Sequence, residues 1–286
     1  MSTVKWTIGT IIQKTVPYLA GKGIPNPRLE ADLMLMAVLD LPRVKLYSDW
    51  NRPLEPAEVQ AYREIILRRV QGYPLAYLSG KKAFLSWDFE VNPAVLIPRP
   101  ETELLVEAVV DRFRSAGEPV GIDVGTGSGV IAVALAKLLP GSRWTALDIS
   151  DDALAVAERN AARLEVADRI RFCRSDLLEA ILAEGTVVDV IVSNPPYIPR
   201  DEIAVLQPEV RKEPLLALDG GVDGLEVYRR LIPQAARCLK SGGVLALEHG
   251  FGQQEAVGRI CEEHGFVWEG RADLSGIDRI VMAVKK

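Results

Sequence analysis

Asn194-Pro195-Pro196-Tyr197 gathers hydrogen-bond acceptors and a flat ring into four residues. Each proline lacks an N–H but keeps its carbonyl, so the tetrapeptide is rich in acceptors and poor in backbone donors. The Asn194 side chain adds an acceptor, and Tyr197 adds an apolar face. The combination suits a planar NH2 group: two oxygens take its hydrogens while a ring covers its plane. The plainer reading is a turn, which Pro-Pro commonly marks. Before it runs Val187-Val188-Asp189-Val190-Ile191-Val192-Ser193, apolar and β-branched, the composition of a buried strand. A rigid polar loop after such a strand falls at the carboxyl edge of a sheet, where ligands bind in open α/β folds.

A second set of residues lies upstream. Val120-Gly121-Ile122-Asp123-Val124 reads as a strand and Gly125-Thr126-Gly127-Ser128-Gly129 as a glycine loop. An apolar helix follows from Val130 to Leu139, stopped by Pro140-Gly141. Strand, glycine loop and helix open a nucleotide-binding α/β domain. Glycines let the backbone approach a ligand closely, and the free N–H groups of the helix start favour a carboxylate or phosphate. The next strand, Arg143 to Asp148, ends in an acid about 20 residues on, placed to hold ribose hydroxyls. The dinucleotide fingerprint needs a glycine where this chain has Val130; the third glycine comes early, at Gly129. Asp123 would sit poorly beside a pyrophosphate and well beside an ammonium or sulfonium, which favours S-adenosylmethionine over NAD. Its other reading is a cap on the loop's own N–H groups.

Three more segments accompany these motifs. They are Val95-Leu96-Ile97-Pro98-Arg99-Pro100-Glu101-Thr102-Glu103, then Glu213 to Leu218 with Asp219 to Leu225, and the closing Asp273 to Arg279. In this order and spacing the chain resembles the HemK/PrmC family, the glutamine methyltransferases of peptide-chain release factors, along nearly its whole length. The resemblance implies a class I S-adenosylmethionine-dependent methyltransferase of the α/β class. That fold is Rossmann-like, with a mostly parallel seven-stranded sheet, an antiparallel last strand and a small N-terminal helical domain. It implies S-adenosyl-L-methionine as cofactor, S-adenosyl-L-homocysteine as product and no metal. The implied partners are class 1 release factors, with the glutamine of their Gly-Gly-Gln loop as target.

The resemblance also distributes roles. Cofactor contacts fall on Asp123, Gly125, Thr126, Gly127, Ser128, Gly129, Asp148, Asp176, Leu177 and Asn194. Asp176 would accept from the adenine amino group and Leu177 cover the ring; Asp176 also reads as a helix N-cap, and both can hold. Catalysis falls on Asn194, Pro195 and Tyr197, and target binding on Asn194, Pro195, Pro196 and Tyr197. An amide nitrogen is a poor nucleophile, and no histidine or lysine is placed by sequence to deprotonate it. The economical route is positioning: the Asn194 oxygen and the Pro195 carbonyl bind both amide hydrogens and stabilise positive charge developing on the nitrogen. Arg99 to Glu103 reads as a helix start or as a segment closing over the cofactor or salt-bridging the two domains. His249 reads as a structural hydrogen-bonder rather than a base.

Composition bounds the alternatives. The net charge of −5 and aromatic content of 6% count against a nucleic-acid adenine N(6)-methyltransferase, which needs a basic groove and base-flipping aromatics. A non-enzymatic dinucleotide-binding module is disfavoured by Val130 and by the intact Asn-Pro-Pro-Tyr. Cys173, Cys238 and Cys261 lack metal spacing and fit a reducing cytoplasm. His249 and His264 cannot build a zinc site by themselves. No apolar run of about 18 residues or signal peptide is present, so neither a membrane span nor a membrane partner is expected.

The elements that must carry these residues fall into three spans. Residues 1–82 read as a substrate-recognising helical bundle. Its first helix runs from Thr3 to Leu19, with Ile8, Ile11, Ile12 and Val16 on one face. A second follows Asn26 as N-cap with Pro27 and carries Leu29, Leu33, Met36 and Val38. A third runs from Pro56 to about Val70, with Val59, Tyr62, Ile65, Ile66 and Arg69 spaced for one face. Arg63, Arg68 and Arg69 read as a solvated face or, more sharply, a partner surface. Residues 83–97 read as a hairpin linker, its strands Phe84 to Val91 and Ala94 to Ile97 and its turn Asn92-Pro93. Residues 98–286 read as the methyltransferase domain, with strands near 120–124, 143–148, 169–173, 187–193, 243–248, 266–271 and 279–284. Helix-length spacers imply parallel crossovers among the first five, and a short loop makes the last pair antiparallel.

Overall fold

The computed structural model describes residues 5–115, 117–273 and 275–286. The chain forms two units: Met1–Lys81 with Gln207–Lys212, and Lys82–Leu206 with Glu213–Lys286. The expectations for Thr3 and Leu274 fall outside the described residues.

The first unit is helical: α1 (Ile8–Gly21), α2 (Pro27–Leu39), α3 (Arg43–Ser48), α4 (Pro56–Val70) and α5 (Leu75–Ser79). The Thr7 side chain accepts from Thr10 N and starts α1, while Pro27 and Pro56 open α2 and α4 at the position that needs no N–H. Ile8, Ile11, Ile12 and Leu19 meet Ala31, Met34, Leu35, Leu46 and Tyr62 in one core. Two details differ from the sequence reading. The α2 face turned inward is Ala31, Asp32, Met34 and Leu35, while Leu29 is exposed. Asp32 is tolerated there because Arg28, Arg43 and the Tyr47 hydroxyl all donate to it. Arg69 is no part of a solvated face: it is 4% exposed. Its guanidinium is held by Glu30 at 2.8 Å and by Glu209 of the inserted segment at 2.9 Å. Arg63 and Arg68 remain exposed.

The second unit opens with a hairpin, β1 (Lys81–Phe84) and β2 (Trp87–Glu90). Its turn is Leu85-Ser86, with Leu85 in the left-handed region at φ 51°. The expected strand at Ala94 to Ile97, and the role of Asn92-Pro93 as the hairpin's turn, are therefore corrected. A turn does form at Asn92-Pro93, where Val95 N donates to Asn92 O, but it joins no two strands, and 94–97 lies in no strand among the described residues. Phe84 and Phe89 bury their rings edge to face, 5.9 Å apart, in this unit's own core.

Beyond the hairpin come α6 (Pro100–Phe113), β3 (Val120–Val124), α7 (Val130–Leu138), β4 (Arg143–Asp148), α8 (Asp151–Arg163), β5 (Ile170–Arg174) and α9 (Glu179–Glu184). They are followed by β6 (Val188–Ser193), α10 (Glu226–Cys238), β7 (Leu239–Glu248), α11 (Gln254–Glu263), β8 (Phe266–Ala272) and β9 (Asp278–Lys285). The seven strands β3 to β9 form one sheet in the order β5-β4-β3-β6-β7-β9-β8. β9 inserts antiparallel between β7 and β8, and the other pairings are parallel. Alternation along the strands sends residues to opposite faces. Val244 and Ala246 meet α6 and α7 on one side, while Leu245 and Leu247 meet α10 and α11 on the other. Among the described residues no helix is long and apolar enough to cross a membrane.

Register places the chemistry. Val124 of β3 lies opposite Leu147 of β4 and Ser193 of β6, and Ser193 lies opposite Leu247 of β7. Gly125, Asp148, Asn194 and Glu248 therefore leave the sheet together at its carboxyl edge. The strand order reverses between β3 and β6, and that reversal opens the crevice in which open α/β sheets bind ligands.

Candidate active site

A cavity of about 390 Å³ occupies this crevice. Its floor is Val124, Gly125, Gly127, Asp148, Asn194 and Pro196, and its far end is Ser175, Asp176, Leu177 and Arg230. Ala94, Val95 and Leu96 line it from one side, Pro214 to Ala217 from another. Glu213 joins these two walls. One of its oxygens accepts Ile97 N at 3.0 Å and the other the Arg99 guanidinium at 2.5 Å. Arg99 thus ties the 94–99 segment to the 213–217 loop. Pro100 starts α6, with Glu101 and Glu103 in its first turn.

The glycine loop has a hard back and an open front. Gly127 has φ +54°, which favours glycine, and a Cβ built on it would meet nothing within 4 Å, so its face is open to a ligand. Thr126, Ser128 and Gly129 turn away from the cavity: the two side chains are buried, and Gly129 packs on Ala157. Asp123 is fully buried behind the loop. Its Oδ2 accepts the Thr126 hydroxyl at 2.7 Å and Ala132 N at 3.1 Å, and its Oδ1 has no partner among the described residues. Its donors are the Thr126 hydroxyl and an N–H of α7, so it braces the loop without capping the loop's own N–H groups. Burial pushes its carboxyl up to about 7, against those two hydrogen bonds.

Asp148 ends β4 at the cavity wall. Its Oδ2 accepts Gly127 N at 2.9 Å and its Oδ1 accepts Ser150 N at 3.0 Å. A carboxylate offers about four acceptor positions, so backbone donors leave part of its capacity for a ligand. Burial raises its pKa, and backbone N–H donors from Ser150, Gly127 and Ile149 counter the rise. Asp176 lines the cavity with its Oδ2 on Arg230 at 2.6 Å. It does not cap a helix with its side chain, because α9 begins only at Glu179. Leu177, at φ 50°, holds a left-handed backbone that leucine rarely adopts, and the surrounding fold fixes it at the cavity end.

Asn194 sits at the cavity with its Nδ2 donating to Thr102 Oγ1 at 3.0 Å. No protein donor reaches its Oδ1 among the described residues. Pro195 is buried next to it and Pro196 lines the cavity. Tyr197 is gripped through its backbone. Its carbonyl accepts Gln253 Nε2 at 3.0 Å, and a Cβ on Gly220 would come within 2.7 Å of its Cα. Burial raises the Tyr197 hydroxyl to about 12, with the Glu248 carboxylate adding to the rise.

Thr102 stands in the sequence inside the segment Val95 to Glu103 with no role read from it, and the sequence reading gave no role to Glu248 or Arg230. Glu248, at the end of β7, is 1% exposed. Burial pushes its carboxyl up to about 7; the Thr102 and Asn194 side chains and Arg279 oppose this, and Glu101 reinforces it. His249 is enclosed, with Nδ1 2.9 Å from Gly250 O. Burial lowers its pKa, and its Nε2 is enclosed with no partner among the described residues.

Comparison with known proteins agrees with this geometry. Residues 10–80 match the family described as PrmC N-terminal domain, and residues 117–281 match the family described as Methyltransferase domain. The chain is 43% identical over 282 residues to the release factor glutamine methyltransferase of Moorella thermoacetica, covering 98% of this chain and 99% of that one. It is 44% identical over 278 residues to the protein of the same name from Geobacter sulfurreducens, covering 96% of each. Among solved structures, the T. thermophilus 16S rRNA N2 G1207 methyltransferase in complex with AdoMet and guanosine matches with a TM-score of 0.55 at 20% identity. That match covers 72% of this chain and 50% of that one and shows a shared fold. Conserved length, both domains and the level of identity place this chain in the release factor glutamine methyltransferase family.

Proposed function

We propose that this protein transfers a methyl group from S-adenosylmethionine to the side-chain amide nitrogen of the glutamine in the Gly-Gly-Gln loop of class 1 release factors. The observation that carries the reading is Asn194: its NH2 end is bonded inward to Thr102, and its oxygen is left free at a cavity beside a nucleotide-type glycine loop.

The residues present fit the cofactor. The Gly127 backbone can be approached closely, Asp148 keeps acceptor capacity toward the ribose, and the cavity volume lies in the range of cofactor sites. At the far end Asp176 is placed for an adenine amino group and Leu177 for its ring. Thr126, Ser128 and Gly129 shape the loop, and Asp123 braces it from behind. Bound there, S-adenosylmethionine supplies an electrophilic methyl on a positive sulfur.

The chain's own residues do the rest. Asn194 Oδ1 and the Pro195 carbonyl accept the two hydrogens of the glutamine NH2, which fixes the nitrogen in line with the methyl. The same oxygens stabilise the positive charge that grows on nitrogen as the N–C bond forms and the methyl–sulfur bond breaks, its electron pair staying on the departing thioether, and one amide proton passes to solvent. Pro196 stiffens the loop, and the Tyr197 ring covers the amide plane. Every residue lining the cavity lies in the second unit, which leaves the first unit to recognise the body of the release factor. No nucleic acid is required, and the reaction belongs to the cytoplasm, where release factors work.

Asn194→Ala tests the reading. Transfer to release factor should fall about 10²–10³-fold, the usual cost of one preorganised electrostatic partner, while calorimetry finds cofactor affinity largely kept. Asn194→Asp keeps the oxygen and should stay above the alanine variant. Equal loss in both, with normal cofactor binding, would show that the NH2 and not the oxygen matters. Undiminished transfer by the alanine variant would reduce the loop to a turn.

A further inference from the structure

We infer that Thr102 and Glu248 are positioning residues that set which way the Asn194 amide faces, an inference that rests on the role proposed for Asn194. The three side chains come from separate elements: Thr102 from the first turn of α6, Asn194 from the loop after β6, and Glu248 from the end of β7. Thr102 and Glu248 are 2% and 1% exposed, so water cannot substitute for either.

An amide can be turned end for end with little change of shape, and only its neighbours decide the orientation. A hydroxyl carries one hydrogen and two acceptor positions. Thr102 Oγ1 accepts from Asn194 Nδ2 at 3.0 Å, which leaves the Thr102 hydrogen for the buried Glu248 carboxylate, whose pKa the Thr102 and Asn194 side chains both lower. Glu248 is short of donors, since its Oε2 is enclosed with no partner among the described residues. Once Glu248 is ionised, which burial delays to about pH 7, turning Asn194 around would aim its Oδ1 at a donor-poor carboxylate and strand both acceptors in a buried site. The carboxylate, through the hydroxyl, therefore holds the NH2 inward and presents the oxygen to the target. The other ionisable groups acting on Glu248 are Glu101 of α6, Arg279 of β9, Tyr197 and Tyr228 of α10; the two tyrosines are neutral at ordinary pH.

The test uses the full chain. Thr102→Val keeps the shape and removes the hydroxyl, Thr102→Ser keeps the hydroxyl, and Glu248→Gln ends the acceptor-only character. With labelled S-adenosylmethionine saturating, kcat on release factor should fall about 10- to 100-fold in Thr102→Val and Glu248→Gln, the usual effect of losing an orienting partner. KM for release factor and calorimetric cofactor affinity should stay near wild type, and Thr102→Ser should recover most of the rate. Independently, in ¹⁵N-asparagine-labelled unliganded wild type, the Asn194 NH2 pair should be protected from exchange with water, and Thr102→Val should lose that protection. Wild-type kcat in folded Thr102→Val, a serine variant no better than valine, or an Asn194 NH2 pair exchanging freely in the wild type would each overturn the inference. Asn194→Ala separates the two levels. If it is inactive while Thr102→Val is not, only the positioning role falls; if it is fully active, the role of Asn194 falls as well.

Discussion

Asp123 and Glu248 hold protons that ordinary carboxyls would have lost. In the unfolded chain they titrate near 3.8 and 4.5; in the folded protein burial carries both to about 7. Between these limits the native state binds more protons than the unfolded chain. Their contribution to stability is therefore full below about pH 4 and is lost as the pH rises toward 7, at up to about 1.4 kcal/mol per pH unit for each group. The melting temperature of the unliganded protein should fall from pH 5 to 7, and Asp123→Asn should flatten that fall while keeping an oxygen for Thr126 and Ala132. A melting temperature that climbs across the window, or an asparagine variant with an unchanged slope, would contradict this account. Asp148 has the opposite relation to solvent, at the cavity wall with acceptor positions left over. Asp148→Ala should weaken S-adenosylmethionine binding about 10- to 150-fold, the worth of one charge-assisted hydrogen bond of about 1.5–3 kcal/mol. Unchanged calorimetric affinity in the folded variant would remove Asp148 from the cofactor site.

At the scale of elements, the site is a set of loop beginnings held level by strand register. The loop after β6 is the most constrained. Gly224, at φ +76°, lies so close to the Tyr197 carbonyl and the Gln253 amide that a Cβ there would overlap both. Gly224→Ala should cost about 1–3 kcal/mol through overpacking and lower kcat by displacing Tyr197; a stable, fully active variant would show that the loop tolerates movement. Much of this layer is legible in the sequence. β-branched runs such as Val187 to Val192 announce buried strands, and Gly125 to Gly129 between a strand and an apolar helix announces the nucleotide loop. What is not legible depends on distant pairing. Ala94 to Ile97 has the alternation of a strand but joins no sheet among the described residues. Arg69 has the composition of a surface residue but is enclosed by Glu30 and Glu209, the latter 140 positions away. The bond between Thr102 and Asn194 spans 92 positions, and no local pattern encodes it.

At the scale of the whole molecule, one chain carries a helical unit and a methyltransferase unit, and the segment that follows Asn194-Pro195-Pro196-Tyr197 contributes residues to both. Gln207–Lys212 belongs to the helical unit. There Glu209 pairs with Arg69 and the Lys212 ammonium sits 4.9 Å from the centre of the Tyr73 ring. The flanking residues on the other side of Glu213 line the cavity. A fold built this way suits a macromolecular target whose reactive group is one side chain on a loop, and the central claim is that this group is a glutamine amide. The most direct measurement is to incubate the protein with methyl-labelled S-adenosylmethionine and a class 1 release factor, with duplex and single-stranded DNA offered in parallel, and to locate the label by peptide mass spectrometry. The account predicts one methyl on the side-chain nitrogen of the Gly-Gly-Gln glutamine, none on DNA, and none when that glutamine is replaced. Label on adenine, or on release factor at any other residue, would contradict it.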